Sequence, residues 1–305
     1  MQPGLIFDIV GLCFYAFTLL ISLTMTLLIA VHLRRCHYQV PILLIGNTYV
    51  ILFLFSVNML VMYGYNTTGT LDPTRRFDGL WCRLRTYFVH VLLCALYYSF
   101  VLQATFRLLR IVFYRQQILQ SVPVFVLAAI LQWTLSVLFT LSSLLLNDFQ
   151  YLPKEYNCWI DFENLRGLLI LMFVIYGLST SIILSMYVYI IRYVQQTRPI
   201  HQRQHLSNKR DVTILRRIVI LVTIIVGLGF PTVAVILVRA ICKFAVPFDY
   251  HIQGVSLSIG AFIASISLVF LTPRIREIFR MQRNDRRIPT IVAMTPSRHC
   301  SARHG

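Results

Sequence analysis

A chain of 305 residues that is 57% hydrophobic and only 13% charged, with a mean hydropathy of +0.71, is too apolar for an ordinary soluble domain. Its formal net charge of +17 would suit a polyanion, but the basic residues flank long apolar runs instead of forming a patch, so nucleic acid is not an expected partner. The partner that this composition demands is a lipid bilayer.

Seven windows of about 20 or more mostly apolar residues follow one another, at about residues 5–33, 41–64, 80–113, 122–146, 167–193, 213–241 and 251–273. Each is long enough to cross a hydrocarbon core of about 30 Å at about 1.5 Å per residue. The first ends in "HLRRC" and the second carries Asn47 in "IGNTYVILF". After the second comes "YNTTGT", in which Asn66 is the one N-x-S/T acceptor with a permissive middle residue. The third opens at Cys82 and closes in "FRLLR", carrying Arg107 into an otherwise lipid-compatible run, and the fourth holds the lone Trp133. The segment "NDFQYLPKEYNCWIDFENLR" that follows is long enough to form a hairpin. Span five contains "STSIILSMYVYI", span six opens in "NKRDVTILRR" and includes "IVGLGFP", and span seven closes on "LTPRIR". Residues 1–280 therefore read as one membrane domain, and 281–305 as a basic tail expected to be disordered.

Charge sets the expected orientation. The segments after spans one, three, five and seven hold 20 basic residues against 3 acids, whereas the other side holds 8 against 8. The positive side stays in the cytosol, which predicts an external N-terminus and an internal C-terminus. Asn66 then falls outside, where a glycan is expected. Cys82 and Cys158 also fall outside, where a disulfide is permitted, with Cys242 as a rival partner. Cys13, Cys36 and Cys94 read as small packing residues or reduced thiols, and Cys300 lies far from the last span.

Catalytic and transport chemistries find no residues to carry them. The fragment "GLST" lacks the second glycine and the neighbouring histidine of a polytopic serine protease. No acid lies inside a span beyond Asp8 at the start of the first, which leaves no paired aspartates for an intramembrane protease and no carboxylates for an ion-coupled transporter. Lys154, Lys209 and Lys243 all lie in loops, so a retinal Schiff base is excluded. No enzyme activity, metal or cofactor is expected.

The Cys82-to-Arg107 spacing, Trp133 in span four, Cys158 in the loop after it, Pro231 in span six and Pro273 at the end of span seven together resemble the rhodopsin-like G-protein-coupled receptors, over nearly the whole chain. The resemblance implies a seven-transmembrane helix bundle in the plasma membrane, a Cys82–Cys158 disulfide, and a heterotrimeric G protein as partner. "FRL" at Phe106–Leu108 stands where the family usually has D/E-R-Y, so that Arg107 would meet the G protein while Phe106 replaces the acid. In "IVGLGFP", Gly229 replaces the family tryptophan; in "LTPRIR", Thr272 and Arg276 replace the Asn and Tyr of N-P-x-x-Y. Tyr187 is well placed in span five, where Ser179 takes the position of a common proline, and Leu52 takes that of the sodium-binding Asp.

The resemblance further implies a latch between Arg107 and Asp211, the only acid of the third internal loop; a helix-capping acid paired with Arg210 or Arg216 is the alternative. Val89 stands where amine receptors of the family carry Asp, which disfavours that branch. Tyr87, His90, Tyr97, Tyr176 and Phe262 are candidates for an outer ligand cavity, and the long loop over it leans toward a peptide ligand. The alternative to a ligand-activated receptor is a seven-helix protein without agonist, either constitutively active or acting as an interaction partner.

Overall fold

The computed structural model describes residues 3–35, 39–72, 78–153, 155–197 and 249–271, together with isolated positions between 227 and 238. The helices are α1 (Pro3–Arg35), α2 (Val40–Leu71), α3 (Leu80–Ile111) and α4 (Val122–Leu145), the last preceded by a short 3-10 turn (Gln117–Gln120). A two-stranded antiparallel hairpin, β1 (Phe149–Leu152) and β2 (Asn157–Ile160), then leads to α5 (Leu165–Met172). A π-turn over Phe173–Leu178 joins α5 to α6 (Ser179–Thr197), and the three pieces make one span. The last span is α7 (Asp249–Leu271).

Six spans among the described residues are long and apolar enough to cross a membrane. The described positions between 227 and 238 are helical as well, in the stretch where the sequence places another span. Outward faces are apolar, as lipid requires: Phe17, Leu20 and Leu127 are 57%, 59% and 68% exposed.

Helix starts follow local chemistry. Extended Gln39 and Ser121 precede α2 and α4, each with a proline in the first turn, where its missing N–H costs nothing. Asn164 caps α5 by accepting the Gly167 N–H at 3.3 Å. The second helix overruns the apolar window and carries "YNTTGT" with it. There the hydroxyls of Thr67, Thr68 and Thr70 donate to the carbonyls of Tyr63, Gly64 and Asn66, at 2.8–2.9 Å, so a polar segment stays helical past the apolar window.

The centre of the bundle is α3, which packs against α2, α4, α6 and both strands. Polar pins fix its neighbours. Trp133 Nε1 donates to Asn47 Oδ1 (3.1 Å), Asn47 Nδ2 donates to Gln132 Oε1 (3.0 Å), and Gln132 Nε2 donates to the Ala95 carbonyl (2.7 Å). This chain of bonds ties α4 to both α2 and α3, each bond contributing about 0.6–1.7 kcal/mol in an apolar medium. Gln103 Nε2 similarly donates to Thr48 (2.8 Å), and the Tyr49 hydroxyl donates to the Ser265 carbonyl (3.0 Å), which joins α2 to α7.

The hairpin forms as its length allows, with Phe149 opposite Ile160 and Leu152 opposite Asn157. All four residues of β2 are buried. The disulfide joins Cys82, at the start of α3, to Cys158 of β2, with Cα atoms 5.6 Å apart. Cys242 lies outside the described residues. Thr86 Oγ1 reinforces the link by donating to the Cys158 carbonyl at 2.6 Å.

Candidate functional site

At the disulfide end of the bundle, α1, α2, α7 and the hairpin line a small cavity of about 30 Å³. Gly4, Asp8 and Gly11 recur at helical spacing and so share one face of α1. A Cβ on Gly4 would lie 2.9 Å from His251 Nε2, and one on Gly11 would lie 2.7 Å from the Tyr63 ring, so two absent side chains let both rings approach α1. His251, in the first turn of α7, stands between two carboxylates. Its Nδ1 is 3.3 Å from Asp8 Oδ1 and its Nε2 is 3.2 Å from Glu155 Oε2. Phe7 stacks on the same imidazole at 6.2 Å. Tyr63, Trp159 and Tyr250 complete an aromatic wall.

The aromatic residues expected to line a cavity are elsewhere, and none of the five borders this one. His90 is buried under the hairpin between Phe149 and Trp159, with ring centroids at 5.1 and 4.8 Å, and its Nδ1 lies 2.8 Å from the Thr86 carbonyl. Trp159 is therefore shared between His90 and the cavity. Deeper in the bundle, Tyr97 and Tyr176 meet edge to face at 4.7 Å. A Cβ on Gly229 would come 2.8 Å from the Tyr176 ring, so the position where the resemblance expects a tryptophan receives tyrosine instead. Tyr87 donates to the Val137 carbonyl of α4 at 3.2 Å, and Phe262 packs on Phe14 and Phe17 of α1.

Asn66, the expected glycan acceptor, lies in the last turns of α2. It is 6% exposed, and its side-chain amide lies 3.0 Å from that of Asn157 in β2. A glycan must hang from an exposed amide, and this one is enclosed by the hairpin. Treatment of cell-made protein with an amidase that removes N-linked glycans is therefore expected to leave its gel mobility unchanged; a downward shift abolished by Asn66→Gln would show that this contact opens.

At the opposite end of α3, the half-buried Arg107 side chain lies beside Tyr187 of α6. Phe106 turns the other way, edge to face with Phe125 of α4 at 5.3 Å, in a small apolar cluster with Val40, Leu44 and Leu102. It fills space where an acid would have offered charge. Asp211, Pro231 and Pro273 lie outside the described residues. Sequence reasoning named Arg107 and Tyr187 separately, pairing Arg107 with Asp211 instead, and passed over Asp8, Glu155 and His251 as a set. The signal for Asp8 was present, because an ionisable residue inside an apolar span marks a site by default.

No curated protein matches the chain. Among protein families, the 7 transmembrane receptor (rhodopsin family) matches residues 24–270, from the middle of α1 to the end of α7. That match covers well over half of the sequence, and it accords with the packed apolar spans and with the hairpin tied to α3. The chain belongs to the rhodopsin family of seven-transmembrane receptors.

Proposed function

We propose that this receptor sits in the plasma membrane with its hairpin outside, binds an extracellular ligand there, and catalyses nucleotide exchange on a heterotrimeric G protein at the Arg107 end. The observation that carries the reading is the placement of the half-buried Arg107 beside Tyr187 of α6, at the end of α3 remote from the disulfide. The distribution of basic residues supports the orientation, since 20 of them flank the side on which Arg107 lies. The lid formed by β1 and β2 favours a ligand with peptide character over one that enters from the lipid.

A second reading, activity without agonist, is favoured by Phe106 and Gly229. The first packs against Phe125 and offers Arg107 no restraining charge, and the second leaves Tyr176 in the place of a tryptophan. Nucleotide exchange in membranes from cells expressing the chain, measured at rest and with a peptide library, tests both. Exchange stimulated by a library member supports the first reading; high exchange that no ligand changes supports the second; exchange equal to that of untransfected membranes overturns both.

Asp211 is the proposed restraint on Arg107 in the closed bundle. Asp211→Asn is expected to raise basal exchange about 5–150-fold, corresponding to a coupling of about 1–3 kcal/mol. Unchanged basal exchange at equal surface expression would return Asp211 to the capping of span six.

A further inference from the structure

Arg85 lies one turn inside Cys82 on α3, in the half of the span nearest the disulfide, and is 6% exposed. Its guanidinium sits over the Tyr65 ring of α2, 4.2 Å from the centroid, and its Nε is buried without a hydrogen bond. Among the described residues no carboxylate pairs with it. The ion pairs there join Arg166 to Asp148 and His251 to Asp8 and Glu155, and neither Asp72 nor Asp78, at the two ends of the α2–α3 connection, comes within ion-pair distance of Arg85. A ring face attracts a cation without neutralising it. A charge inside a span that the chain itself leaves uncompensated marks a site for something else.

We propose that Arg85 binds the carboxylate of a single-chain amphiphile that enters from the bilayer. Trp81, Arg85 and Phe88 are spaced four and three residues apart and so share one face of α3. Trp81 and Phe88 are 69% and 50% exposed, which turns that face to lipid. On one side of it Arg85 covers Tyr65 of α2, and on the other Tyr87 bonds the Val137 carbonyl of α4, so the face opens between α2 and α4. Depth favours a carboxylate over a phospholipid phosphate. A tryptophan settles at headgroup level, and Arg85 lies about 6 Å further along the helix toward the hydrocarbon. A carboxylate on one chain can sink that far, with the chain running on over Phe88. Charge agrees, because one guanidinium balances one carboxylate and its fork matches the two oxygens. Arg83 adds no second charge for a phosphate monoester, since it turns to Asn147 beyond α4, at 3.4 Å. The site is outside the bundle, apart from the hairpin lid and from Arg107.

The test needs no G protein. The full-length protein, in phosphatidylcholine nanodiscs at a pH that ionises the probe, is titrated with stearate carrying a nitroxide near its carboxylate, and separately with the methyl ester of that probe. The motionally restricted fraction is read by electron paramagnetic resonance against empty nanodiscs. The acid is expected to give a saturable restricted population, and the ester is not. Arg85→Gln is expected to weaken that binding at least about tenfold. Phe88→Glu, at an exposed position that the fold does not need, is expected to do the same by setting a like charge on the path of the chain. Without probe, Arg85→Gln should melt no lower than the wild type, because it removes a buried charge that nothing in the chain neutralises. A lower melting temperature would overturn the proposal, since the charge would then be compensated from within. Equal restriction of acid and ester would also overturn it, as would a population that survives both substitutions, or none above that of empty nanodiscs. Displacement of the probe by phosphatidylglycerol as readily as by unlabelled stearate would reassign the site to a phospholipid phosphate, and displacement by acetate would show that no apolar chain is read; either result overturns the proposal.

Discussion

Replacing Arg107 with alanine is expected to reduce nucleotide exchange to that of untransfected membranes, at normal surface expression. The guanidinium presents up to five N–H donors, and unlike the exposed Arg110 one turn on, it is half-buried beside Tyr187 of α6. Tyr187→Phe removes only the hydroxyl. That hydroxyl is the part of Tyr187 on which the guanidinium acts, and a loss of exchange of up to about tenfold is expected from the substitution. In the Arg107→Ala background it should do nothing further, because its partner is already gone. Exchange that persists in Arg107→Ala, measured as guanine-nucleotide binding in membranes, would move the coupling function away from this residue.

Cys158→Ser is expected to cost about 2–4 kcal/mol of stability, seen as a fall of several degrees in the melting temperature of the purified protein. The bond closes a loop with a sequence separation of 76 residues that includes the whole of α4 and the hairpin, so its loss mostly frees the unfolded chain. It also loosens the wall formed by β2, since Cys158 lies between Asn157 and Trp159, both of which line the cavity. Reductant should lower the melting temperature of the wild-type protein to that of the variant and leave the variant unchanged. A variant as stable as the wild type would show that the buried strand and the Thr86 hydrogen bond suffice to hold the hairpin.

What could be foreseen divides along a physical line. Hydropathy marks spans because lipid penalises every charge left in it, and so the described spans fall where the apolar windows do. It marks helix ends less well, because threonines that bond their own backbone carry α2 on to Leu71. Rotation about the helix axis is the hardest property to read. A helix in lipid is apolar toward its neighbours and toward the bilayer alike, so the facing of Tyr87 toward α4 and of Phe262 toward α1 leaves no amphipathic trace. The cavity was hidden for another reason. Its ionisable groups come from positions 8, 155 and 251, and only the packed bundle brings the two carboxylates within 3.3 Å of the His251 ring.

The π-turn over Phe173–Leu178 sets the rotational phase of the fifth span. The buried residues Leu171, Ile175, Ser179 and Ile183 recur every four positions, and over those 12 residues a regular α-helix would carry the stripe about 120° around its axis. The wider turn absorbs that drift, and the Ser179 hydroxyl, bonded back to the Ile175 carbonyl, satisfies the backbone where the pattern changes. The span is in effect a gear whose teeth have been offset once, so that the turn and α6 mesh with α3. Forced into α-helical pitch with every residue kept, the turn would rotate everything beyond it by about 120° and carry Tyr187 away from Arg107 without altering either side chain, whereas deleting one residue of the turn would restore that pitch and keep the facing.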